Sequence, residues 1–223
     1  MVGALSEAVT PTAGDAEDTD LVNALRRGDE PAFAALLGRY NASLVRLAMV
    51  YVRNRAVAEE VVQDTWLGVL NGIDRFEGRS SLKTWIFRIL TNTAKTRAER
   101  EGRSVPFSSL GGADPSDSAV DPDRFLDSDH PRWPGHWGQA PSSWEGIPEQ
   151  RLVSKETLAQ VGAAISALVP TQQRVIILRD VEGWSSDEVC ELLGVSEVNQ
   201  RVLLHRARSS VRGELERYLA DEG

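Results

Sequence analysis

Apolar residues recur three and four positions apart at Phe33, Leu36, Leu37, Tyr40, Leu44, Leu47, Ala48 and Tyr51, the period of one face of an α-helix. Helical patterning begins at Leu21, and Gly28, the acidic pair Asp29–Glu30 and Pro31 mark the start of this longest stripe, because proline fits the first helical turn. After a break at Asn54–Ala56, a second helix over about 57–71 turns Val57, Val61, Val62, Thr65, Trp66, Val69 and Leu70 inward. Its other side carries Glu59, Glu60, Gln63 and Asp64. A polar loop around Gly78 leads into a third helix with the stripe Leu82, Trp85, Ile86, Ile89 and Leu90. Short connections join these helices into one all-helical unit, residues 21–101.

On either side of that unit the pattern fails. Residues 1–20 lack periodicity and bulk and read as a disordered acidic tail. Residues 102–148 hold most of the prolines, an acidic cluster from Asp114 to Asp129, and Trp133, Trp137 and Trp144. Proline forbids regular hydrogen-bond ladders, so this segment reads as an extended linker. Two readings of its tryptophans stay open, an exposed spacer or anchors for a protein groove.

Helical signal returns over 149–223. Leu152, Leu158, Val161 and Ile165 mark a helix over 148–167, and Val175, Ile176, Leu178 and Arg179 continue the period over 172–182. Ser185 or Ser186 can cap a short helix, Gly194 permits a tight turn, and Ser196 caps the next helix. Helix, glycine turn and capped helix is the order of a helix-turn-helix. The expected fold is therefore all-α: two small helical domains, an N-terminal bundle and a C-terminal helix-turn-helix, joined by a long Pro/Gly/Trp-rich acidic linker.

Composition narrows the function. A chain of 223 residues with 41% hydrophobic content can build two small cores. No run of about 18 apolar residues could span a membrane, and the N-terminus lacks the order of a secretory signal, so the expected location is the cytoplasm. The single cysteine, Cys190, excludes an internal disulfide and reads as a small core residue. His130, His136 and His205 lack metal-ligand neighbours, and no glycine-rich phosphate loop follows a strand. Neither a catalytic site, a metal nor a cofactor is expected.

A net charge of -8 by itself disfavours nucleic acid, yet the acids are segregated into the tail and linker. Around the third helix, Arg75, Arg79, Lys83, Arg88, Lys95 and Arg97 accompany Phe76, Trp85 and Phe87. Basic groups beside aromatic faces suit single-stranded nucleic acid, although Trp85, in the apolar stripe, reads equally as core. Between Glu197 and Glu214 there is no acidic residue, while Arg201, His205, Arg206, Arg208 and Arg212 accumulate. Asn199, Gln200 and Arg201 stand near the end of the second helix that enters the major groove in this motif, where such side chains pair with base edges. Arg206, Arg208 and Arg212 suit phosphates. A plain helical hairpin with an ordinary surface is the competing reading.

These stretches together resemble the sigma-70 family of bacterial transcription initiation factors, in its small two-domain extracytoplasmic-function (ECF) group. Residues 58–70, Ala-Glu-Glu-Val-Val-Gln-Asp-Thr-Trp-Leu-Gly-Val-Leu, resemble its core-polymerase-binding helix. Phe76 to Asn92 resembles its promoter-melting loop and helix, and residues 183–208 its upstream-element helix-turn-helix. The resemblance implies that Glu60, Gln63, Asp64 and Trp66 contact the clamp coiled coil of the polymerase largest subunit. It implies that Phe76, Arg79, Ser80, Lys83, Trp85, Arg88, Asn92 and Lys95 hold the minus-10 non-template strand with one base turned out of the stack. Ser196, Asn199, Gln200, Arg201, His205, Arg206 and Arg208 are the implied minus-35 contacts. Core RNA polymerase, promoter DNA and an anti-sigma protein are the implied partners. Two rival functions are a stand-alone helix-turn-helix regulator and a sigma-like decoy that sequesters an anti-sigma factor. Val198-Asn-Gln-Arg-Val-Leu203 departs from the Gly-Thr-Val-Lys-Ser-Arg-like run of many members, so their preferred promoter sequence does not transfer.

Overall fold

The computed structural model describes residues 13–52, 54–101 and 155–221. The expected linker, 102–148, and the first 12 residues lie outside them, as does the beginning of the helix expected from Pro148. Every regular element among the described residues is helical, and the chain divides into two compact units, 1–104 and 105–223.

The first unit contains α1 (Ala13–Arg26), α2 (Glu30–Tyr51), α3 (Arg55–Gly72), a 3-10 turn (Ile73–Arg75) and α4 (Leu82–Arg100). Local chemistry explains where α2, α3 and α4 start. Asp29 accepts from the Ala32 N–H at 3.0 Å with proline in the first turn of α2. Asn54 accepts from Ala56 N–H at 2.8 Å ahead of α3, and Ser81 accepts from Thr84 N–H at 3.1 Å ahead of α4. Each cap satisfies an amide that the helix itself leaves without a partner. One expectation is corrected here: residues 13–20 are helical and not a disordered tail. Helix α1 begins eight residues before Leu21 and sends Val22 and Leu25 into the core.

Helices α2, α3 and α4 pack on one another, and α1 lies against α2 and the 3-10 turn. Their shared core is Leu36, Leu44, Leu47, Val61, Val62, Val69, Leu82, Ile86 and Leu90, on the stripes that the sequence marks, together with Phe87, which at 1% exposure is a core side chain and not the aromatic face for nucleic acid expected from its basic neighbours. Aromatic edges tie it further, with Phe33 against Trp66 at 5.7 Å and Tyr40 against Phe87 at 6.1 Å between ring centroids. Two glycines let α3 and α4 approach closely. A Cβ on Gly68 would stand 3.1 Å from Ile89 Cγ2, and one on Gly72 would stand 3.2 Å from Trp85 Cζ2. Leu70 departs from expectation: it is 45% exposed, on the outer side of α3.

The second unit contains α5 (Lys155–Ala167), α6 (Pro170–Ile176), which runs on into a π-helical turn (Ile177–Val181), α7 (Ser186–Leu193) and α8 (Glu197–Asp221). Helix α8 is its spine, with α5, α6 and α7 all packed on it. Pro170 begins α6, two residues before the helix expected over 172–182, and Leu158, expected inward, is 60% exposed. Trp184 is fully buried, and its carbonyl accepts from Arg179 Nη1 across the turn. Cys190 is half-buried beside the buried Val189.

Candidate nucleic-acid and polymerase interfaces

Between α3 and α4 the chain reverses through the 3-10 turn and a short loop that needs a positive φ of 69° at Gly78, a conformation costly for residues with a Cβ. This loop delivers Phe76 to Trp85, ring centroids 5.1 Å apart and planes tilted by 51°. Both rings are half-buried. One edge of Trp85 packs over Gly72, so the residue serves the core and yet keeps accessible surface. From Trp85 the positions Arg88, Asn92 and Lys95 follow at three- and four-residue spacing, and such positions share one helix face. Arg75, Arg79, Arg88 and Asn92 are exposed, whereas Ser80, Lys83 and Lys95 are half-buried. Arg79 pairs with Glu77 at 3.0 Å, an exposed ion pair of small energetic weight. Ser80 Oγ donates to the Ser81 carbonyl at 3.5 Å.

The expected polymerase strip on α3 is only partly assembled. Glu60, Gln63 and Asp64 are exposed. Trp66 is not part of that surface: it is 6% exposed, packed on Phe33, and its indole N–H donates to Asn41 Oδ1 at 3.1 Å. An indole both buried and satisfied belongs to the core. Glu60 accepts from Arg97 Nη2 at 2.7 Å across α3 and α4, and Arg97 Nε donates to Glu101 at 3.0 Å. The Glu101 hydrogen bond first, then the charges of Glu60 and Glu101, raise the Arg97 pKa above its ordinary value against the opposing effect of desolvation. The sequence reading missed Leu67, which is 58% exposed. With Gln63, Asp64 and Leu70 it gives α3 an apolar centre with a polar edge, the composition of a protein-docking surface. Leu67 fell outside the inward set, and that was its signal.

In the second unit, Ser185 is the cap of α7. Its Oγ accepts from Glu188 N–H at 3.2 Å while Glu188 accepts from Ser185 N–H at 2.8 Å, a complete capping box. Gly194 closes α7 in the left-handed conformation, φ 67°, and Ser196 Oγ accepts from Asn199 N–H at 3.2 Å at the head of α8. Along α8 an exposed stripe runs Val198, Arg201, His205, Arg208 and Arg212 at spacings of three and four. Val198, 72% exposed, was not among the expected contacts, and an apolar side chain in this place suits the methyl group of thymine. Asn199 and Arg206 are half-buried.

One expected contact is corrected, and another is already paired. Gln200 is 1% exposed, and its Oε1 accepts from Ser186 Oγ at 3.1 Å, so it joins α7 to α8 and does not reach a base. Arg208 forms a bidentate pair with Asp180, at 2.8 and 2.7 Å, whose hydrogen bonds raise the guanidinium pKa above its ordinary value. That pair fixes α8 to the π-helical turn, and a phosphate would have to displace a carboxylate to engage Arg208. Arg201 makes a single hydrogen bond to Glu197 at 2.5 Å, one turn earlier on the exposed face. Among the described residues, no cluster of three or more His, Cys, Asp or Glu side chains could hold a metal ion, and no helix is long and apolar enough to cross a membrane.

Family models decide what these two units are: that for sigma-70 region 2 matches residues 36–104, and that for sigma-70 region 4 matches residues 158–211. The chain belongs to the sigma-70 family. Among its relatives is the RNA polymerase sigma-H factor of Pseudomonas aeruginosa, 26% identical over 205 residues, which span 92% of this chain and 97% of that one. The ECF RNA polymerase sigma factor SigG of Mycobacterium tuberculosis is 33% identical over 200 residues, 84% of this chain, but the match spans only 49% of SigG. In structure, the chain is similar to the sigma factor RpoE of Bartonella quintana, solved in complex with the anti-sigma factor NepR. That likeness has a TM-score of 0.52 at 22% identity and covers 82% of this chain and 96% of that one. This sigma factor accordingly carries sigma-70 region 2 in its first unit and sigma-70 region 4 in its second. Region 2 removes the reading of the chain as a stand-alone helix-turn-helix regulator.

Proposed function

We propose that the two units divide promoter recognition as their surfaces suggest. The exposed Gln63, Asp64, Leu67 and Leu70 of α3, edged by Glu60, dock on the clamp coiled coil of the polymerase largest subunit. The loop 76–83, with Trp85, Arg88, Asn92 and Lys95, takes the non-template strand of the minus-10 element. Extruding a base costs a few kcal/mol, which stacking and hydrogen bonding in the holding site offset. Helix α8 enters the major groove of the minus-35 element, with Val198, Asn199 and Arg201 at base edges and His205, Arg206 and Arg212 towards phosphates. The protein performs no chemistry of its own; the polymerase it recruits does. Because polymerase and chromosome are its working partners, the cytoplasm is its place of action. A partner of the kind that holds Bartonella quintana RpoE, an anti-sigma protein, is expected to restrain it.

The observation that carries this reading is the half-buried Phe76–Trp85 pair at the head of a face that continues through Arg88, Asn92 and Lys95. Permanganate, which oxidises unstacked thymines, tests it: thymines of the minus-10 non-template strand should become reactive only when both core polymerase and this protein are present. Protected thymines in a transcribing complex would oppose the assignment. For the second unit, Arg201→Ala should relax minus-35 selectivity, reducing discrimination against single-base changes by about tenfold, as expected for one base-directed arginine. Unaltered discrimination in a competition binding assay would remove Arg201 from the reading surface.

A further inference from the structure

The loop that presents Phe76 is held at both ends by helix α1. Arg26 donates through Nε to the Ile73 carbonyl at 3.3 Å and through Nη2 to the Phe76 carbonyl at 2.6 Å, reaching across 47 and 50 residues of sequence. At the other end, Asp18 Oδ2 accepts from the Leu82 N–H at 2.9 Å, across 64 residues. Leu82 N–H is the first amide of α4, which the helix cannot satisfy by itself, and a carboxylate there also meets the positive end of the helix dipole. Ser81 already caps Thr84 N–H, so the serine and the aspartate each satisfy one of the free amides of α4. Within this frame stand Gly78, with its positive φ, and the Phe76–Trp85 ring pair.

We propose that Asp18 and Arg26 are positioning residues for promoter opening: α1 braces the two ends of the 73–82 loop and so sets where Phe76 stands relative to Trp85 when a strand is received. This rests on the reading of the loop as the minus-10 strand site. The brace attaches to backbone atoms, so it constrains the path of the loop whatever side chains the loop carries. A preorganised loop loses less conformational freedom on binding, and that difference appears as affinity for the opened strand.

Charge makes the test sharp. An acidic side chain beside a DNA site repels phosphate, so by electrostatics alone Asp18→Ala should tighten binding. The brace predicts weakening. Asp18→Asn separates the two effects, because its amide oxygen still accepts from Leu82 N–H while the charge is gone. The experiment uses holoenzyme assembled from core polymerase and the full chain. Its probe is a fluorescein-labelled single-stranded oligonucleotide carrying the non-template strand of a promoter fragment that this protein initiates from, and affinity for core polymerase is measured alongside. Asp18→Ala and Arg26→Ala should bind the oligonucleotide about tenfold more weakly, the order expected for losing a hydrogen bond to a charged group. Asp18→Asn should bind as well as wild type or better, and all three should retain wild-type affinity for core polymerase. Wild-type or tighter binding by Asp18→Ala overturns the brace while leaving the strand site intact. Equal losses of oligonucleotide and core affinity also overturn it, in favour of a general structural role for α1. If wild-type holoenzyme fails to bind the oligonucleotide, the strand-site reading itself falls, and the brace falls with it.

Discussion

Trp85→Ala should reduce the rate of open-complex formation by roughly 10- to 100-fold while leaving recruitment to duplex promoter DNA within about twofold. The estimate follows from stacking, worth about 1–3 kcal/mol per base. Trp85 also packs over Gly72 and against Phe76, so its removal leaves a partly filled space as well as an absent platform. Trp85→Phe is therefore the companion variant: it keeps an aromatic face and most of the packing and should recover much of the opening rate. Stopped-flow fluorescence of a promoter labelled near the minus-10 element reports opening, and gel-shift binding at low temperature reports recruitment. Equal loss of both, with no recovery in Trp85→Phe, would make Trp85 a core residue alone.

Trp184→Ala should have the largest effect on stability. Trp184 is 1% exposed and among the largest fully buried side chains. Truncation of a buried tryptophan costs about 3–5 kcal/mol through lost burial and the cavity it leaves, a large share of what stabilises a small domain. The π-helical turn, whose Arg179 donates to the Trp184 main-chain carbonyl that alanine would keep, also holds Asp180, the partner of Arg208 on α8, so displacement of the backbone at 184 is passed to α8. Loss of packing at Trp184 should therefore loosen α8. Because the chain forms two compact units, the damage should remain in the second. Thermal unfolding should resolve two transitions, the region 4 transition moving down sharply and the region 2 transition remaining in place. A common shift of both would contradict independent units. In function, minus-35 binding should disappear while affinity for core polymerase through region 2 persists.

The long stripes of α2, α3 and α4 were legible in the sequence because helical period and burial coincide there: Leu36, Leu44, Leu47, Ile86 and Leu90 are all buried. The helix-turn-helix was legible for a related reason, since its capping serines and Gly194 are local chemistry. What escaped was set by distant partners. Gln200 looks like a base reader by residue type, but it is 1% exposed and its amide oxygen is taken up by Ser186 across the turn. Trp66 is inward by its helical period and a surface contact only by the family resemblance, and Asn41 and Phe33, which take up its indole, side with the period. Arg208 looks like a phosphate ligand, and Asp180, 28 residues earlier, already occupies it. Helix α1 escaped because its first half is Ala-, Asp- and Glu-rich, with no apolar stripe before Val22. Its bond from Asp18 to Leu82 N–H has no sequence signature at all. Side-chain type predicts what a residue can do, whereas the partner decides whether it is at liberty to do it.

The measurement that tests the central claim most directly is abortive initiation by purified core polymerase on a pool of the host's promoter fragments, with and without this protein. Initiation at a defined subset of fragments, appearing only when the protein is added, is the predicted result, and the selected fragments then supply the promoter sequence that the region around Val198–Leu203 reads. A folded protein that binds anti-sigma protein but neither binds core polymerase nor starts transcription from any fragment would contradict the account and make the chain a decoy.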